Sequence, residues 1–301
     1  MFILAQGITS AFSPLAPLLL IAATRTSPIP ADAELRLLGE GMTFIEGPVW
    51  IGSEDRLVFS DIPESLLMQW NEADGVSEWV PSEGANGNFL DREGRLISCQ
   101  QGARNVVRRS TSTGEVIEVV TQNLGGLRFN SPNDVVEHGA GCLWFTDPSW
   151  GLPNQTEDRE VPGNFVYRHD PKGGVTEARL QGFCMPNGIG LSPDERTLYV
   201  TDTGGHPSHP DPKLQELPPS VNAFALDESG DLEGTEPLWS VEIPSDGICV
   251  DSFGRIYLTT PPGVVVLASN GEKLHELKVP RWTTNVCIGG PSGHTLLVTA
   301  E

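Results

Sequence analysis

The 301-residue sequence predicts an all-β fold, a six-bladed β-propeller with a divalent metal in its central channel. Gly (33) and Pro (25) are abundant, whereas long segments of Ala, Leu, Glu and Lys with helical spacing are missing. In addition, one pattern returns six times along the chain. Turns and short strands should therefore make up most of the molecule.

Each repeat opens with a carboxylate or an amide and continues as an apolar or alternating strand. It then turns at polar residues and ends in a strand rich in β-branched and aromatic residues. The repeats start roughly 40 to 60 residues apart, which agrees with propeller blades of four strands. They are "EGPVWIGSEDRLVFSDI" from Glu46, "NGNFLDREGRLISCQQ" from Asn86, "NDVVEHGAGCLWFTDP" from Asn133, "NGIGLSPDERTLYVTDT" from Asn187, "DGICVDSFGRIYLTTP" from Asp246 and "NVCIGGPSGHTLLVTAE" from Asn285.

The last repeat ends with the chain at Glu301 and is too short for a four-stranded blade. We expect residues 33–42, "AELRLLGEGM", to supply its outer strand, and a truncated C-terminus would account for a further missing strand. Residues 33–301 are thus predicted to form the propeller, and residues 1–32 an N-terminal extension that is signal-like or disordered. The polar, Pro-rich segments 151–164 and 204–220 are predicted to be loops.

A net charge of −21 opposes binding to nucleic acid or anionic membranes and suits a protein that handles cations or neutral small molecules. The five cysteines include no CxxC pair, which favours buried free thiols in a reducing compartment. We therefore expect a cytoplasmic monomer or weak homodimer. The apolar N-terminus leaves secretion as the alternative, although it lacks a basic n-region.

The innermost strands of a propeller run along its channel, so the six starting residues should form a ring at one channel mouth. Their carboxylate and amide oxygens suit a hard cation, and a flexible channel mouth suits Ca²⁺ better than Mg²⁺. The alternative is that each Asn-Gly or Asp-Gly only starts a turn. Six instances in register favour the ring.

The motifs "FIEGPVW", "RFNSPNDVV", "PNGIGLSPDERTLYVTDT" and "SDGICVDSFGRIYL" resemble the senescence-marker-protein/gluconolactonase/luciferin-regenerating-enzyme family, which includes regucalcin. The resemblance runs from about Glu34 to the C-terminus. It implies a six-bladed propeller with one divalent ion, Ca²⁺ first, with Zn²⁺ or Mn²⁺ as alternatives, and hydrolysis of lactones. It also implies that Glu46, Asn187 and Asp246 bind the metal and that Asn133 is a fourth ligand or a substrate contact. Asp246 resembles the family's catalytic acid/base.

The metal would polarise the lactone carbonyl while Asp246 takes the proton of the attacking water. Alternatively, the metal would itself activate the water, or Asp246 would attack the carbonyl directly. Regucalcin-type members carry an arginine that contacts the sugar lactone two residues before the equivalent of Asn133, where this chain has Ser131. The "NSPND" form resembles the bacterial gluconolactonase branch. Phosphotriester hydrolysis on the same ring and a non-catalytic Ca²⁺- or small-molecule-binding propeller are the alternative functions.

The wall of the site should come from loops at the same channel face. Asn86 and Asn133 of the ring are predicted to contact the substrate together with Trp150, Met185 and His206, with Cys184 and Trp282 as further candidates. For these wall residues, packing is the alternative interpretation. The aspartates at strand ends, Asp61, Asp147 and Asp202, are predicted to cap turns rather than to catalyse.

Overall fold

The computed structural model of the protein describes residues 2–6, 28–30, 33–155, 158–207, 209–261 and 263–301. These residues form 26 strands, numbered β1–β26 in chain order, and one short 3₁₀ helix at Leu214–Glu216. No helix in the described ranges is long and apolar enough to cross a membrane. The fold is all-β, as predicted from the composition and the repeats.

Five antiparallel sheets are each built from four consecutive strands. Blade 1 contains β3 (Ile45–Ile51), β4 (Arg56–Asp61), β5 (Leu66–Asn71) and β6 (Gly75–Pro81). Blade 2 contains β7 (Ala85–Leu90), β8 (Leu96–Gln100), β9 (Asn105–Arg109) and β10 (Val116–Thr121), and a two-stranded hairpin follows it, β11 (Asn123–Leu124) and β12 (Leu127–Arg128).

Blade 3 contains β13 (Val135–Glu137), β14 (Leu143–Asp147), β15 (Phe165–Asp170) and β16 (Val175–Leu180). Blade 4 contains β17 (Pro186–Leu191), β18 (Thr197–Asp202), β19 (Ser220–Ala225) and β20 (Trp239–Glu242). Blade 5 contains β21 (Ile248–Val250), β22 (Ile256–Thr260), β23 (Gly263–Leu267) and β24 (Lys273–Lys278). The two predicted loops connect β14 to β15 and β18 to β19.

A further sheet, the terminal sheet, combines the two ends of the described chain in the order β2–β1–β26–β25. It contains β25 (Thr283–Gly289), β26 (Thr295–Ala300), β1 (Phe2–Gln6) and β2 (Leu35–Gly39). Residues 33–42 thus supply the outer strand, as predicted. The backbone of β1, in the predicted N-terminal extension, pairs with both β26 and β2. Much of that extension lies outside the described residues, so its boundary at residue 33 stays a prediction.

The sheets are arranged as a β-propeller around a channel. The first strands of successive blades, β3, β7, β13, β17 and β21, contact one another in turn, and β25 of the terminal sheet contacts both β21 and β3. Apolar clusters fill the space between neighbouring sheets, such as the one in which Trp144 of blade 3 packs with Leu198 and Phe224 of blade 4. All five cysteines are free, as predicted.

Candidate functional site

A cavity of about 500 Å³ opens at the end of the channel where the first strands begin. Five of the six predicted ring residues line it, namely Glu46, Asn86, Asn133, Asn187 and Asp246. The sixth, Asn285, lines a separate cavity of about 400 Å³ toward the other end of the channel. The pattern of starting residues therefore locates one site with contributions from five blades.

The ring residues in the inner strands lie at irregularities of the strand pairing. The register shifts between Glu46 and Val49, between Ala85 and Asn88, and between Pro186 and Ile189. A bulge re-aims side chains relative to a regular ladder, which turns the ring residues toward the channel mouth. No residue pattern in these strands predicts the bulges directly.

The glycine after a ring residue allows neighbouring inner strands to approach closely. Gly87 and Gly188 lie inside β7 and β17, and neither has a positive φ. The interpretation of these two Asn-Gly pairs as turns is therefore wrong. A Cβ on Gly188 would lie 2.7 Å from the Asp246 carbonyl oxygen, and one on Gly87 would lie 2.6 Å from that of Asn133. No side chain fits at either position without moving the backbone of the next blade.

Hydroxyl groups on the second strands fix the backbone of the ring. Three of them each donate a hydrogen bond to the carbonyl oxygen of a ring residue in the following blade. These are Ser60 to Asn86 at 2.7 Å, Thr146 to Asn187 at 2.6 Å and Thr201 to Asp246 at 2.7 Å. In these three blades, the Ser or Thr one position before the end of the second strand thus links its blade to the next.

The strand-end aspartates hold the segments that lead into the ring. Asp61 accepts hydrogen bonds from the backbone N–H groups of residues 43 and 44, Asp147 from those of 130 and 131, and Asp202 from those of 184 and 185. Each pair ends two residues before a ring residue. These aspartates bind backbone N–H groups as predicted for structural residues, but the N–H groups belong to segments 16 to 18 residues earlier rather than to a local turn, and none of the three lines the cavity.

Glu46 is buried, and its Oε2 accepts hydrogen bonds from the backbone N–H of Gly47 and from Nδ2 of Asn285, both at 2.9 Å. Burial and the nearby Asp246 carboxylate raise the pKa of Glu46 well above its usual range, while both hydrogen bonds oppose the rise. Oδ1 of Asn285 accepts the N–H of Val286 at 2.8 Å. Asn285 therefore positions Glu46, and its predicted place at the mouth is wrong because its oxygen is held by its own strand.

Asp246 and Asp134 complete the acidic part of the channel. The pKa of Asp246 is raised to about 7, chiefly by burial; a hydrogen bond from Asn187 opposes the rise, and the charges of Asp134 and Glu301 add to it. Asp134 lines the cavity toward the other end of the channel. Its carboxylate accepts hydrogen bonds from the backbone N–H groups of Val135 and Ile189, at 2.9 and 3.3 Å. Its own pKa is raised to about 7 by burial. Three carboxylates share this region, which makes it attractive to a cation.

The donor set at the base of the cavity fits a hard cation. Asn86 donates from Nδ2 to Oε1 of Gln101 at 3.3 Å, while its Oδ1 is buried without a hydrogen-bond partner in the structure. A buried amide oxygen of this kind can accept a hydrogen bond from a water or a substrate, or can face a cation. Within the described part of the chain, no three His, Cys, Asp or Glu side chains are arranged so that they alone could hold a metal ion. Only two of the five groups at this base are acids, and the remaining oxygens are amides, ligands that suit Ca²⁺.

The predicted wall residues are only partly at the cavity. Trp150 lines it, and so does Trp282. The ring of His206 does not line the cavity but packs edge-on against Trp150 with 4.6 Å between centroids. Burial lowers the pKa of His206 below its usual value.

Met185 does not contact the cavity, contrary to the sequence prediction. Its side chain is fully buried, and Sδ accepts a hydrogen bond from Nδ2 of Asn164 at 3.2 Å. The adjacent Cys184 is buried as well. Asp202 holds the backbone N–H of both residues, so the segment before β17 directs these side chains into the protein interior.

Six residues that line the cavity are not among the residues predicted from the sequence: Phe44, Ile62, Pro63, Gln101, Thr203 and Glu301. Most of them share a position, directly after the second strand of a blade or of the terminal sheet. That position was a usable signal, because second strands end at the same channel face at which first strands begin.

The family follows from the comparison of the chain with known proteins. Residues 44–301 match the family described as SMP-30/Gluconolactonase/LRE-like region. The chain belongs to this family. A gluconolactonase from Zymomonas mobilis subsp. mobilis is 29% identical over 294 residues, which cover 89% of this chain and 79% of that protein.

Solved structures agree with this membership. The structure of a gluconolactonase from Xanthomonas campestris superposes with a TM-score of 0.72 and 30% identity, covering 88% of both chains. A calcium-binding protein, regucalcin, from Agrobacterium tumefaciens superposes with a TM-score of 0.67 at 21% identity, covering 86% of this chain and 83% of its own. The latter similarity supports the propeller fold.

Proposed function

We propose that this protein is a lactonase that opens a cyclic ester in the cavity at the channel mouth. The observation that carries the proposal is the convergence of Glu46, Asn86, Asn133, Asn187 and Asp246 on one cavity, in a chain whose family relatives include gluconolactonases. A cavity of about 500 Å³ accommodates a small lactone.

We further propose that the terminal sheet is a sixth blade, which closes the propeller between blades 5 and 1. Its first strand, β25, contacts the first strands of both neighbours, as the inner strand of a blade does. The propeller domain then includes residues 33–301 together with β1. Five free cysteines support a reducing, cytoplasmic compartment, and the net charge of −21 suits a protein that acts on a small neutral substrate.

Four residues of the ring would hold a divalent cation: Glu46, Asn133, Asn187 and Asp246. Ca²⁺ is the first choice, and Zn²⁺ and Mn²⁺ are the alternatives. When bound, such a cation supplies Lewis-acid polarisation of the lactone carbonyl. The two carboxylates balance its charge, and the amides complete an all-oxygen set. Asn285 orients Glu46 through its hydrogen bond to Oε2.

Asp246 is proposed as the catalytic acid/base. A water oxygen attacks the carbonyl carbon while the Asp246 carboxylate takes a proton from that water. When the bond between the carbonyl carbon and the ring oxygen breaks, the same group returns the proton to the ring oxygen, and the product is a hydroxy acid. The hydroxyl of Thr201 and the N–H of Gly188 hold the backbone carbonyl of Asp246 at 2.7 and 3.1 Å, which fixes its position during both transfers.

The test is proton release from aldonolactones and aliphatic lactones by protein stripped with a chelator and then resupplied with Ca²⁺, Zn²⁺ or Mn²⁺. We expect restored turnover, a folded Asp246→Asn variant with at least about 100-fold lower kcat, and weaker metal binding by Glu46→Gln. Asp170→Asn, outside the cavity, is the matched control.

Hydrolysis by Asp246→Asn at the wild-type rate would overturn the role of Asp246. Absence of turnover with every metal would overturn the lactonase proposal and favour phosphotriesters or a binding propeller.

A further inference from the structure

The cavity wall above the polar base has an apolar side. Phe44, Ile62 and Pro63 of blade 1 line it together with Trp282, which precedes the terminal sheet. The N–H of Ile62 donates to the carbonyl of Phe44 at 3.0 Å, so these two residues lie side by side. Because β25 contacts β3, Trp282 joins the cavity from the neighbouring sheet. We call these four residues the apolar wall.

The opposite side is polar, and two of its groups hold ring residues. Oε1 of Gln101 accepts a hydrogen bond from Asn86, and Oγ1 of Thr203 accepts one from Asn187 at 3.1 Å. Among the described residues that line the cavity there is no Arg, Lys or His. Ser131 is buried, where its Oγ donates to the carbonyl of Pro148 at 2.6 Å and accepts the N–H of Gly151. It therefore offers no contact to a substrate.

Two tryptophan side chains at the cavity are exposed. Trp282 is 54% exposed, and Trp150 on the opposite side is 36% exposed. Exposed aromatic side chains beside a polar cavity base indicate a ligand with an apolar part. A polyhydroxylated lactone would lay hydroxyl groups against Phe44, Ile62 and Trp282, where they lose hydrogen bonds to water without replacement.

On the basis of the proposed lactonase function, we infer that the preferred substrates are lactones with an apolar alkyl or aryl substituent on the ring. The lactone ester group lies at the polar base, and the substituent lies against the apolar wall. Trp282, which carries the largest exposed ring of this wall, determines specificity. Polyhydroxylated aldonolactones are then the poorer class of substrate.

A substrate series tests the inference without any mutation. We would measure kcat/KM of the metal-loaded enzyme for δ-valerolactone, δ-decalactone and D-glucono-δ-lactone, each corrected for spontaneous hydrolysis. Each methylene that leaves water for the apolar wall contributes up to about fourfold in binding. We therefore expect δ-decalactone to exceed δ-valerolactone by about tenfold or more, mainly through KM, and gluconolactone to rank last.

A variant pair locates the effect. We expect Trp282→Ser to reduce the ratio of kcat/KM for δ-decalactone to that for δ-valerolactone by about fivefold or more. Phe253→Ser is the control because Phe253 is 64% exposed but does not line the cavity, and this change should leave the ratio as it is.

The outcomes distinguish the preference for apolar lactones from the lactonase activity itself. Turnover of gluconolactone in preference to δ-decalactone would overturn the inference and keep the lactonase proposal. Equal effects of Trp282→Ser and Phe253→Ser would overturn the role of the apolar wall. Absence of turnover with all three lactones would refute the lactonase proposal itself.

Discussion

Replacement of Gly188 by alanine should damage the site from a position that no substrate contacts. Gly188 follows the ring residue Asn187 and donates its N–H to the carbonyl of Asp246 at 3.1 Å. A Cβ at this position would lie 2.7 Å from that carbonyl oxygen and 2.9 Å from the backbone nitrogen of Ile248. Both neighbours are backbone atoms, so no side-chain rotation relieves the overlap.

The size of the effect follows from these distances. An ordinary contact between carbon and oxygen requires roughly 0.5 Å more, and the backbone of Asp246 must supply most of that shift. Overpacking of this kind costs about 1–3 kcal/mol of stability. A displacement of 1 Å in a catalytic group costs about 100-fold in rate, so a shift half as large should lower kcat by about tenfold.

The control is Gly190→Ala, two residues further along β17. Its Cβ would meet only side-chain carbons, the nearest being Cγ2 of Val250 at 3.3 Å. We would compare kcat and KM for the best lactone with the midpoint of thermal unfolding for wild type and both variants. Wild-type kcat in Gly188→Ala, or equal losses in both variants, would refute the argument that this glycine positions Asp246.

Two further predictions concern the supports of the ring. Thr201→Val removes the 2.7 Å hydrogen bond to the Asp246 carbonyl at nearly constant volume, and should cost about 1 kcal/mol in denaturant unfolding and lower kcat more than KM. An unchanged kcat would contradict a positioning role for Thr201. Asp147→Asn should cost about 1–3 kcal/mol, because one of the two buried N–H groups that Asp147 now accepts loses its partner. Burial raises the pKa of Asp147 from 3.8 to about 7. The native state therefore binds a proton at Asp147 more tightly than the unfolded chain does. As a result, the contribution of Asp147 to the free energy of unfolding falls as the pH rises from about 4 to 7. The free energy of unfolding should therefore decline less steeply with pH in Asp147→Asn than in wild type. Equal slopes in the two proteins would show that Asp147 is not the source of the pH dependence.

Much of the fold and the centre of the site could be predicted because both follow from local, repeated patterns. The alternation of apolar residues predicted the inner hairpins, and the residue type at each repeat start predicted that Glu46, Asn187 and Asp246 lie at one channel face. The same repeats predicted a structural rather than catalytic role for Asp61, which binds the backbone N–H groups of residues 43 and 44. These features depend on residues close in sequence, so periodicity was sufficient to find them.

Other features depend on contacts between distant segments. β1 pairs with β26 from the far end of the chain, and no local pattern reveals such a partner. Asn285 fits the repeat but faces Glu46 rather than the cavity, because its Oδ1 is held by the backbone of its own strand.

The sequence by itself thus determined the all-β architecture, the repeat and the chemical type of the ring: two acids among amides. Only the tertiary structure decided which side chains share the cavity. Phe44, Ile62 and Trp282 meet there, while Met185 is turned into the interior. The physical reason is that the wall consists of loop residues from separate sheets, whose relative positions are set by sheet packing and interblade hydrogen bonds rather than by residue periodicity.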